Sequence, residues 1–390
     1  MLSVKPFKAY RPQKELVEDF VVAPYDVVTD EEIQEIKRQK PNSFINVIHS
    51  EVNCPKVNPY DPKVYQEAKK RLDAFIADGI LFQEEEATFY IYEEEMKGHC
   101  QRGIVYIEEG HDYWEGKILK HELTLKAKER DRKNHFQETK MQTEPVFFFS
   151  PQLRLREWKM EKLYDFVGED GTCHRLWKIL PEDVAKVQKT LEDLEHVYIA
   201  DGHHRTASAA EIAKQFSSGI LAVVFPGEEL HIEPYHRMVR SFHGKTNSEI
   251  VEALREYFVV TKGQWKGEPM ESKEYYLLTE EGGYQLKLRE DKLRHHVVKD
   301  LDASIVQDYI LAPVFGIQNP REDDNLDFCG GLLTVEESKE LLKKYQGLIL
   351  MPATEMEEIV HVAEEGLIMP PKSTWFEPKL ISGLFLYSFE

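Results

Sequence analysis

The sequence has few cysteines and no long apolar run. Its four cysteines form no CxxC pair, so we expect reduced thiols rather than a zinc knuckle or a redox motif. The adjacent pairs His99-Cys100 and Cys173-His174 leave a metal site as the alternative. No apolar run approaches the roughly 18–20 residues that a membrane helix requires, and the first residues lack the apolar segment of a signal peptide. We therefore expect a cytoplasmic protein that has no membrane partner.

The sequence also lacks an excess of positive charge. Lysine and arginine together number 50 and aspartate and glutamate 70, which gives a formal net charge of −20. This balance opposes non-specific binding to nucleic acid, because that affinity comes mainly from neutralising phosphates. We expect no nucleic-acid partner, whereas a local basic pocket for a small anion is compatible with the composition.

Two common sets of phosphate-handling motifs are missing as well. The chain contains neither a GxxxxGK[ST] P-loop nor the HRD and DFG motifs of protein kinases. If the chain handles phosphate, it therefore uses a different arrangement of residues.

The pattern of the 390 residues predicts an α/β (α+β) protein with more than one domain. Hydrophobic residues make up 42% and charged residues 31%, which is typical of a globular protein with a real core. Short apolar runs predict buried strands, and segments with helical spacing alternate with them. We divide the chain into three regions that pack around a central cleft: an N-terminal α/β region (1–112), a phosphate-binding core (113–245) and a C-terminal α/β region (246–390).

The stretch DGHHR, at 201–205, stands between a predicted strand and a helix that is predicted to start at Thr206. A glycine at such a junction lets the backbone come close to a ligand, and the first amides of the helix attract anions. The two histidines and the arginine would add positive charge, and an arginine grips phosphate oxygens in a bidentate way. The pattern predicts a phosphate-binding site that contains Gly202, His203, His204, Arg205 and Thr206.

Asp201 is the one member of this stretch that would repel a phosphate. Its presence makes sense if it binds Mg²⁺, accepts a proton or orients one of the histidines. The alternative is that Asp201 only caps the helix. We include Asp201 among the catalytic residues and as a metal ligand, with Mg²⁺ as the predicted cofactor.

The segment ADGHHR, at 200–205, resembles the phosphate-binding signature of the ParB/sulfiredoxin superfamily, and most closely that of its free serine kinases. Further segments resemble a bacterial family of unknown function of about this length, DUF1015, and they span nearly the whole chain. These segments are APYD (23–26), HELT (121–124), ERDR (129–132), PYHR (234–237) and PPKST (370–374). The resemblance implies a ParB/sulfiredoxin-like core in the middle region.

The resemblance to free serine kinases also implies a chemistry. In those enzymes a His-Glu pair precedes the DGHHR element and the glutamate is the general base, which corresponds here to His121 and Glu122. A carboxylate can take the proton that a serine hydroxyl loses as it attacks phosphorus, and His121 would hold that carboxylate. Arg132 is a predicted phosphate contact, with an exposed salt-bridged helix face as the alternative. We therefore predict phosphoryl transfer from ATP, ADP or pyrophosphate to free L-serine, which gives O-phosphoserine.

Three segments are candidates for binding the amino-acid substrate. The segment KST, at 372–374, follows two prolines that stiffen the backbone, and it would clamp a carboxylate; a polar turn is the alternative. Asp26 follows a proline in a similar way and would hold the ammonium group of the substrate. The third segment lies in the PYHR motif. The substrate-binding candidates are Tyr25, Asp26, His236, Arg237, Lys372, Ser373 and Thr374.

Two other functions remain open at this stage. A ParB-like regulator that binds a nucleotide is one, although the net charge argues against a role on DNA. A non-catalytic protein that binds a phosphorylated metabolite is the other, and it would be stabilised by its ligand without turnover. The oligomeric state and the pathway are not predicted.

Overall fold

The structure is a computed structural model that describes residues 1–25 and 27–389. Strands and helices alternate along the chain, which confirms the predicted mixed α/β class. The chain divides into two compact units. The first unit comprises Met1–Lys120, Thr124–Leu230 and Pro378–Glu390, and the second comprises His121–Leu123 and His231–Glu377. The three regions inferred from the sequence stay a prediction, because a division by compactness does not test them.

Several helices begin where the sequence supplies a cap. Thr29, Thr246 and Thr334 each form a capping box with the glutamate three residues later, and Asp61 caps a helix that has a proline in its first turn. No helix of residues 1–25 and 27–389 has both the length and the apolar character needed to cross a lipid bilayer. The α-helices are α1 (Val17–Phe20), α2 (Asp30–Gln39), α3 (Ile45–Ile48), α4 (Pro62–Ala77), α5 (His111–Trp114), α6 (Lys126–Thr139), α7 (Pro181–Glu192), α8 (His203–Phe216), α9 (Asn247–Leu254), α10 (Asp302–Val306), α11 (Ala312–Phe315), α12 (Val335–Leu342) and α13 (Met356–Glu364), with a π-helical turn at Gln307–Leu311.

The strands range from two to eleven residues in length. They are β1 (Val4–Lys5), β2 (Tyr10–Pro12), β3 (Leu81–Gln83), β4 (Tyr90–Met96), β5 (His99–Glu109), β6 (Ile118–Leu119), β7 (Met141–Gln142), β8 (Val146–Ser150), β9 (Met160–Val167), β10 (Cys173–Ile179), β11 (Val197–Asp201), β12 (Gly219–Pro226), β13 (His231–Glu233), β14 (Tyr235–Val239), β15 (Phe258–Lys262), β16 (Glu274–Thr279), β17 (Gly282–Leu288), β18 (Leu326–Gly330), β19 (Gly347–Leu350), β20 (Trp375–Glu377) and β21 (Tyr387–Ser388).

The first unit is built on a mixed sheet with the strand order β6-β11-β8-β12-β5-β4-β10-β9, and β1 pairs with β5. Strands β8 and β12 run parallel, whereas β11 runs antiparallel to β8 and parallel to β6. Every residue of β12 is buried, as expected of a strand that is covered on both faces. The core of this sheet includes Phe148, Ile199 and Val224. Strand β11 therefore lies next to the edge strand of a well-packed sheet.

Helix α8 follows β11 directly and packs on α6. Its buried side chains are mostly small, including Ala209, Ala210 and Ala213, which lets the helix approach its neighbours closely. The hydroxyl of Ser208 donates a 2.9 Å hydrogen bond to the carbonyl of Glu129 on α6. These contacts fix the position of the first turn of α8.

The start of α8 differs from the sequence prediction. The run of small residues put the start at Thr206, whereas the helix begins at His203, directly after Gly202 in the left-handed conformation (φ +87°, ψ +34°). A left-handed glycine changes the chain direction within one residue, so the three polar residues after it form the first turn.

The second unit has an antiparallel sheet with the strand order β15-β17-β16-β19-β14-β18. The core on one face includes Ile305, Ile310 and Val314, from α10, the π-helical turn and α11. Strand β14 lies between β19 and β18, and all five of its residues are buried. This strand carries the PYHR candidates.

Candidate functional sites

The DGHHR element in the first unit has the geometry of an anion-binding turn. Strand β11 ends at Asp201, Gly202 adopts its left-handed conformation, and α8 begins at the next residue. The amide of Thr206 donates to the carbonyl of Gly202 at 2.8 Å, which closes the first turn. A helix N-terminus of this kind presents amide donors and a partial positive charge.

The buried guanidinium of Arg205 holds this turn through hydrogen bonds. Its Nη2 donates to Oδ2 of Asp201 at 2.7 Å and its Nη1 to the carbonyl of Pro145 at 2.8 Å, with only 2% of its side chain exposed. A Cβ on Gly202 would lie 3.0 Å from Nε of Arg205, so the missing side chain makes room for the guanidinium. The structure thus gives Arg205 a positioning role, while its predicted contact with phosphate stays a prediction.

Asp201 is held by two cations. Besides Arg205, the ammonium of Lys379 lies 3.5 Å from Oδ1 of Asp201. Burial alone would raise the pKa of Asp201, but the charges of Lys379 and Arg205 outweigh it and hold the pKa below its usual range. Asp201 is therefore ionised at neutral pH.

This arrangement does not fit a Mg²⁺ ion bound directly to Asp201, because each of its oxygens faces a positive charge. Among the described residues, one group of three potential ligands is close enough to hold a metal: His111, Asp112 and Glu115. The ammonium of Lys117 lies 2.6 Å from Asp112 and 3.0 Å from Glu115, so a protein cation already neutralises that group. The predicted need for Mg²⁺ stays a prediction.

One histidine of the element, His203, contributes less charge than the sequence suggested. Burial lowers the pKa of His203 to about 3, so its ring is neutral at physiological pH although Asp201 lies nearby. The ring of His204 accepts a 2.9 Å hydrogen bond at Nε2 from the amide of Leu125, just before α6. The expectation that His203 is a cation is corrected, since a buried imidazole loses its proton more readily than a solvated one.

The hydroxyl of Thr206 also has a contact within the element. It donates to the carbonyl of Gly202 at 3.0 Å, and the residue is fully buried. This bond stabilises the first turn of α8, and the predicted contact between Thr206 and a phosphate stays a prediction.

The structure brings Arg132 and Tyr25 together in the first unit. The guanidinium of Arg132 lies 4.3 Å from the ring centroid of Tyr25, bonds to Asp131 at 2.7 Å and lies 3.6 Å from Glu144. The amide of Tyr25 donates to Glu144 at 3.2 Å. Arg132 is thus a buried, paired arginine rather than part of an exposed salt-bridged face. Asp26 lies outside the described residues.

The His-Glu pair and the KST segment lie together in the second unit. Oε1 of Glu122 accepts a 3.3 Å hydrogen bond from the amide of Lys372, which has a positive φ of 57°. Nε2 of His121 lies 3.3 Å from the hydroxyl of Thr374. The hydroxyl of Ser373 donates to the carbonyl of Pro370 at 2.7 Å, so it braces the turn. The predicted base therefore sits against the predicted substrate clamp.

The two PYHR candidates differ from each other. Nδ1 of His236 accepts a 3.1 Å hydrogen bond from the amide of Met351, and burial lowers its pKa to about 4, so it is a neutral ring bonded to the backbone. Arg237, on the same strand, is 3% exposed and donates through Nη1 to the carbonyl of Tyr235. Burial lowers the pKa of Arg237 to about 10, at which it is still charged near neutral pH.

Two residues next to these sites were not among the sequence candidates. Lys379 reaches Asp201 from the C-terminal segment that belongs to the first unit. Tyr235 lies beneath the ammonium of Lys372, 5.3 Å from its ring centroid. Tyr235 could have been recognised from the sequence because it is part of the PYHR motif, whereas no local sequence pattern distinguishes Lys379.

The fold and these sites define a mixed α/β protein that carries a candidate anion-binding strand–glycine–helix element. The chain belongs to the DUF1015 family, described as proteins of unknown function, whose model matches residues 4–304. No curated protein matches the chain.

Similar solved structures share little sequence with the chain. A free serine kinase in complex with AMP is 12% identical over 67% of this chain and 83% of its own, with a TM-score of 0.37. A mutant of free serine kinase in complex with ADP is 14% identical over 67% and 84%, with a TM-score of 0.37. SbnI with a C-terminal truncation, from Staphylococcus aureus, is 11% identical over 68% and 82%, with a TM-score of 0.39. Likenesses this distant carry no argument about the activity of this chain.

Proposed function

We propose that the chain is a phosphotransferase that moves a phosphoryl group from ATP, ADP or pyrophosphate to the hydroxyl of free L-serine, giving O-phosphoserine. The observation that carries the proposal is the DGHHR element, in which a left-handed Gly202 joins β11 to the first turn of α8. Turns of this kind bind phosphate because their amide donors and the helix dipole favour anions. The motif's resemblance to free serine kinases supplies the choice of acceptor.

Each group has a defined part in the proposed reaction. The donor's phosphates bind at the first turn of α8, where Lys379 and Arg205 provide the positive charge. The Oγ atom of serine forms a bond to phosphorus while the bond to the leaving group breaks, which releases ADP, AMP or phosphate according to the donor. Glu122 takes the proton from the serine hydroxyl.

The surroundings of Glu122 support its role as the base. The amide of Lys372 donates a 3.3 Å hydrogen bond to Oε1 of Glu122, which holds the carboxylate beside the KST segment, and a carboxylate placed there can accept the proton of a substrate hydroxyl. The KST segment beside it offers an ammonium group to a bound carboxylate. Mg²⁺ belongs to the proposal as the ion that the donor's phosphates carry, since proteins commonly hold it through substrate phosphates.

The proposal is tested by direct assay of the full-length chain. Purified protein is incubated with L-serine, Mg²⁺ and each donor in turn, and O-phosphoserine is measured by ³¹P NMR and mass spectrometry. We expect product with at least one donor, in an amount that scales with enzyme. A folded preparation that makes no O-phosphoserine with any of the three donors would disprove it.

One observation favours a second function, a non-catalytic protein that binds a phosphorylated metabolite. Both oxygens of Asp201 face cations, which leaves a rigid anion-binding turn without a metal-binding carboxylate. Such a protein would be stabilised against heat by O-phosphoserine or pyrophosphate, and it would show no turnover in the assay above.

A further inference from the structure

Arg237 in the second unit is a buried cation without a counter-ion. It lies on β14, is 3% exposed, and no carboxylate of residues 1–25 and 27–389 lies within 4.0 Å of its guanidinium. Its Nη1 donates to the carbonyl of Tyr235, whereas Nε and Nη2 make no hydrogen bond to a described residue. Burying a charge in this way is costly unless a partner compensates for it. The arrangement therefore calls for an anion that is not part of the described chain.

An aromatic ring lies against the guanidinium of Arg237. Its guanidinium carbon lies 5.0 Å from the ring centroid of Phe328, which pairs with it across β14 and β18. An aromatic ring on one face holds the guanidinium plane and leaves its edge for hydrogen bonds. The free edge of a guanidinium matches the two oxygens of a carboxylate.

Tyr235 connects Arg237 to the candidate base. The two side chains project from the same face of β14, since they are two residues apart on a strand. Burial raises the pKa of the Tyr235 phenol. The positive charges of Lys372 and Arg237 lower this pKa, and the negative charge of Glu122 raises it. Two cations and the predicted base therefore all act on one phenol within the second unit.

We propose that Arg237 binds the carboxylate of the acceptor, with Lys372 as a second cation, so that the acceptors of this protein are small hydroxy acids rather than neutral alcohols or amines. The inference rests on the proposed function for the identity of the reaction, but it predicts binding that does not require turnover. Arg237 acts as a specificity-determining residue: it holds the acid group while the hydroxyl of the same molecule meets Glu122.

The inference is tested first with ligands alone. Binding to the full-length protein, in the presence of pyrophosphate, is measured by calorimetry for L-serine, D-glycerate and L-serinamide. L-serine and D-glycerate retain the carboxylate, whereas L-serinamide replaces it by an uncharged amide. We expect L-serinamide to bind at least about tenfold more weakly than L-serine, because it leaves Arg237 buried without a counter-ion. Equal affinity for the two, or no binding of either carboxylate, would overturn the inference.

Variants then assign the effect to the arginine. Arg237→Met keeps a similar length and removes the charge, and we expect it to lose the preference for L-serine over L-serinamide. Arg237→Lys keeps a charge without the planar fork, and an intermediate preference is expected. Arg240→Met is the matched control, because Arg240 is half-exposed and pairs with Asp327. A folded Arg237→Met protein that keeps the full preference for L-serine over L-serinamide would contradict the assignment. If Arg237→Met does not fold, the assignment is decided by the Arg237→Lys variant and by the comparison of L-serine, D-glycerate and L-serinamide in the native protein.

The same measurements separate this inference from the proposed function. If L-serine binds through Arg237 and no O-phosphoserine forms with any donor, the kinase proposal fails and the carboxylate site stands. If O-phosphoserine forms but L-serinamide is phosphorylated as well as L-serine, the kinase stands and the role of Arg237 fails. In active protein, Arg237→Met is expected to raise the KM for L-serine at least tenfold, with a smaller change in kcat.

Discussion

The carboxylate of Asp201 accepts a 2.7 Å hydrogen bond from Arg205, and this bond spans the left-handed Gly202 that separates strand from helix. Arg205 also holds the carbonyl of Pro145, next to β8, so the guanidinium ties the turn to the neighbouring strand. The candidate anion-binding turn is therefore held in place by the protein's own groups. A site that is already organised spends less binding free energy on ordering itself.

The first prediction concerns this ion pair. Arg205→Ala removes one of the two cations that hold Asp201 and leaves the carbonyl of Pro145 without its donor, and we expect it to lower the free energy of unfolding by about 3 kcal/mol. Urea unfolding followed by tryptophan fluorescence measures the change. Arg38→Ala is the control, because Arg38 is exposed and pairs with an exposed glutamate. Equal unfolding midpoints for the two variants would contradict a structural role for Arg205.

The second prediction concerns the glycine of the turn. Gly202→Ala adds backbone strain of about 1 kcal/mol at a positive φ, and its Cβ also presses on Arg205 at 3.0 Å. Gly79→Ala is the matched control, since Gly79 has a φ of 71° and its Cβ would meet nothing within 4 Å. We expect Gly202→Ala to be the less stable of the two and to lose stabilisation by pyrophosphate in a thermal melt. If Gly202→Ala binds pyrophosphate as the native chain does, the turn is not the phosphate site.

The third prediction concerns Glu122. Glu122→Gln keeps an oxygen that can accept the amide hydrogen of Lys372, but it cannot take a proton at neutral pH. We expect kcat for O-phosphoserine formation to fall at least about 100-fold, with little change in the KM for L-serine. Glu281→Gln, in an exposed turn of the second unit, is expected to leave kcat unchanged. Full activity in Glu122→Gln would remove this residue as the base.

The sequence predicted the local parts of this structure well. The strand predicted before DGHHR is present as β11, Val197–Asp201, because a short apolar run is a local pattern. The start of α8 was placed three residues late. Apolar spacing marks where a helix buries its side chains, whereas the actual start is set by the backbone conformation of Gly202.

Contacts between distant segments could not be predicted in the same way. Lys379 pairs with Asp201 only because the C-terminal segment belongs to the first unit. Nδ1 of His236 accepts the amide of Met351, in a segment that the sequence does not mark as its neighbour, and the contact of His236 with a substrate stays a prediction. Which polar groups are left for a ligand depends on which of them the folded chain has already paired.

The fourth prediction uses a buried carboxyl group outside the candidate sites. Glu94, on β4, is completely buried, and it accepts hydrogen bonds from the phenol of Tyr92 at 3.0 Å and from the amide of Gln101 at 2.7 Å. Burial raises the pKa of Glu94 to about 8, well above its ordinary value of 4.5. Between these two values the folded protein holds a proton that the unfolded chain has released, so stability falls as pH rises through this window.

Buried histidines change the free energy of unfolding with pH in the opposite direction to Glu94. Burial lowers the pKa values of His135, His174 and His236 to about 4, so these groups raise stability as pH increases from about 4 to 6.5 and oppose the effect of Glu94 there. Their contribution is complete only about one pH unit above their ordinary pKa of 6.5. Glu94 alone is expected to lower the free energy of unfolding by about 1–2 kcal/mol between pH 6.5 and 8, and the histidines offset part of this fall.

Glu94→Gln isolates this effect, because glutamine keeps the shape and the hydrogen-bonding capacity of a protonated glutamate but does not titrate. At pH 6.5 the variant and the native chain are expected to unfold at similar urea concentrations, and at pH 8 the variant is expected to be the more stable. The difference between the two pH profiles is the quantity to measure, since other buried acids such as Glu108, whose pKa burial also raises, contribute equally to both. Parallel profiles for the two proteins would show that Glu94 is already ionised in the folded state, and that its neighbours stabilise the charge better than its burial implies.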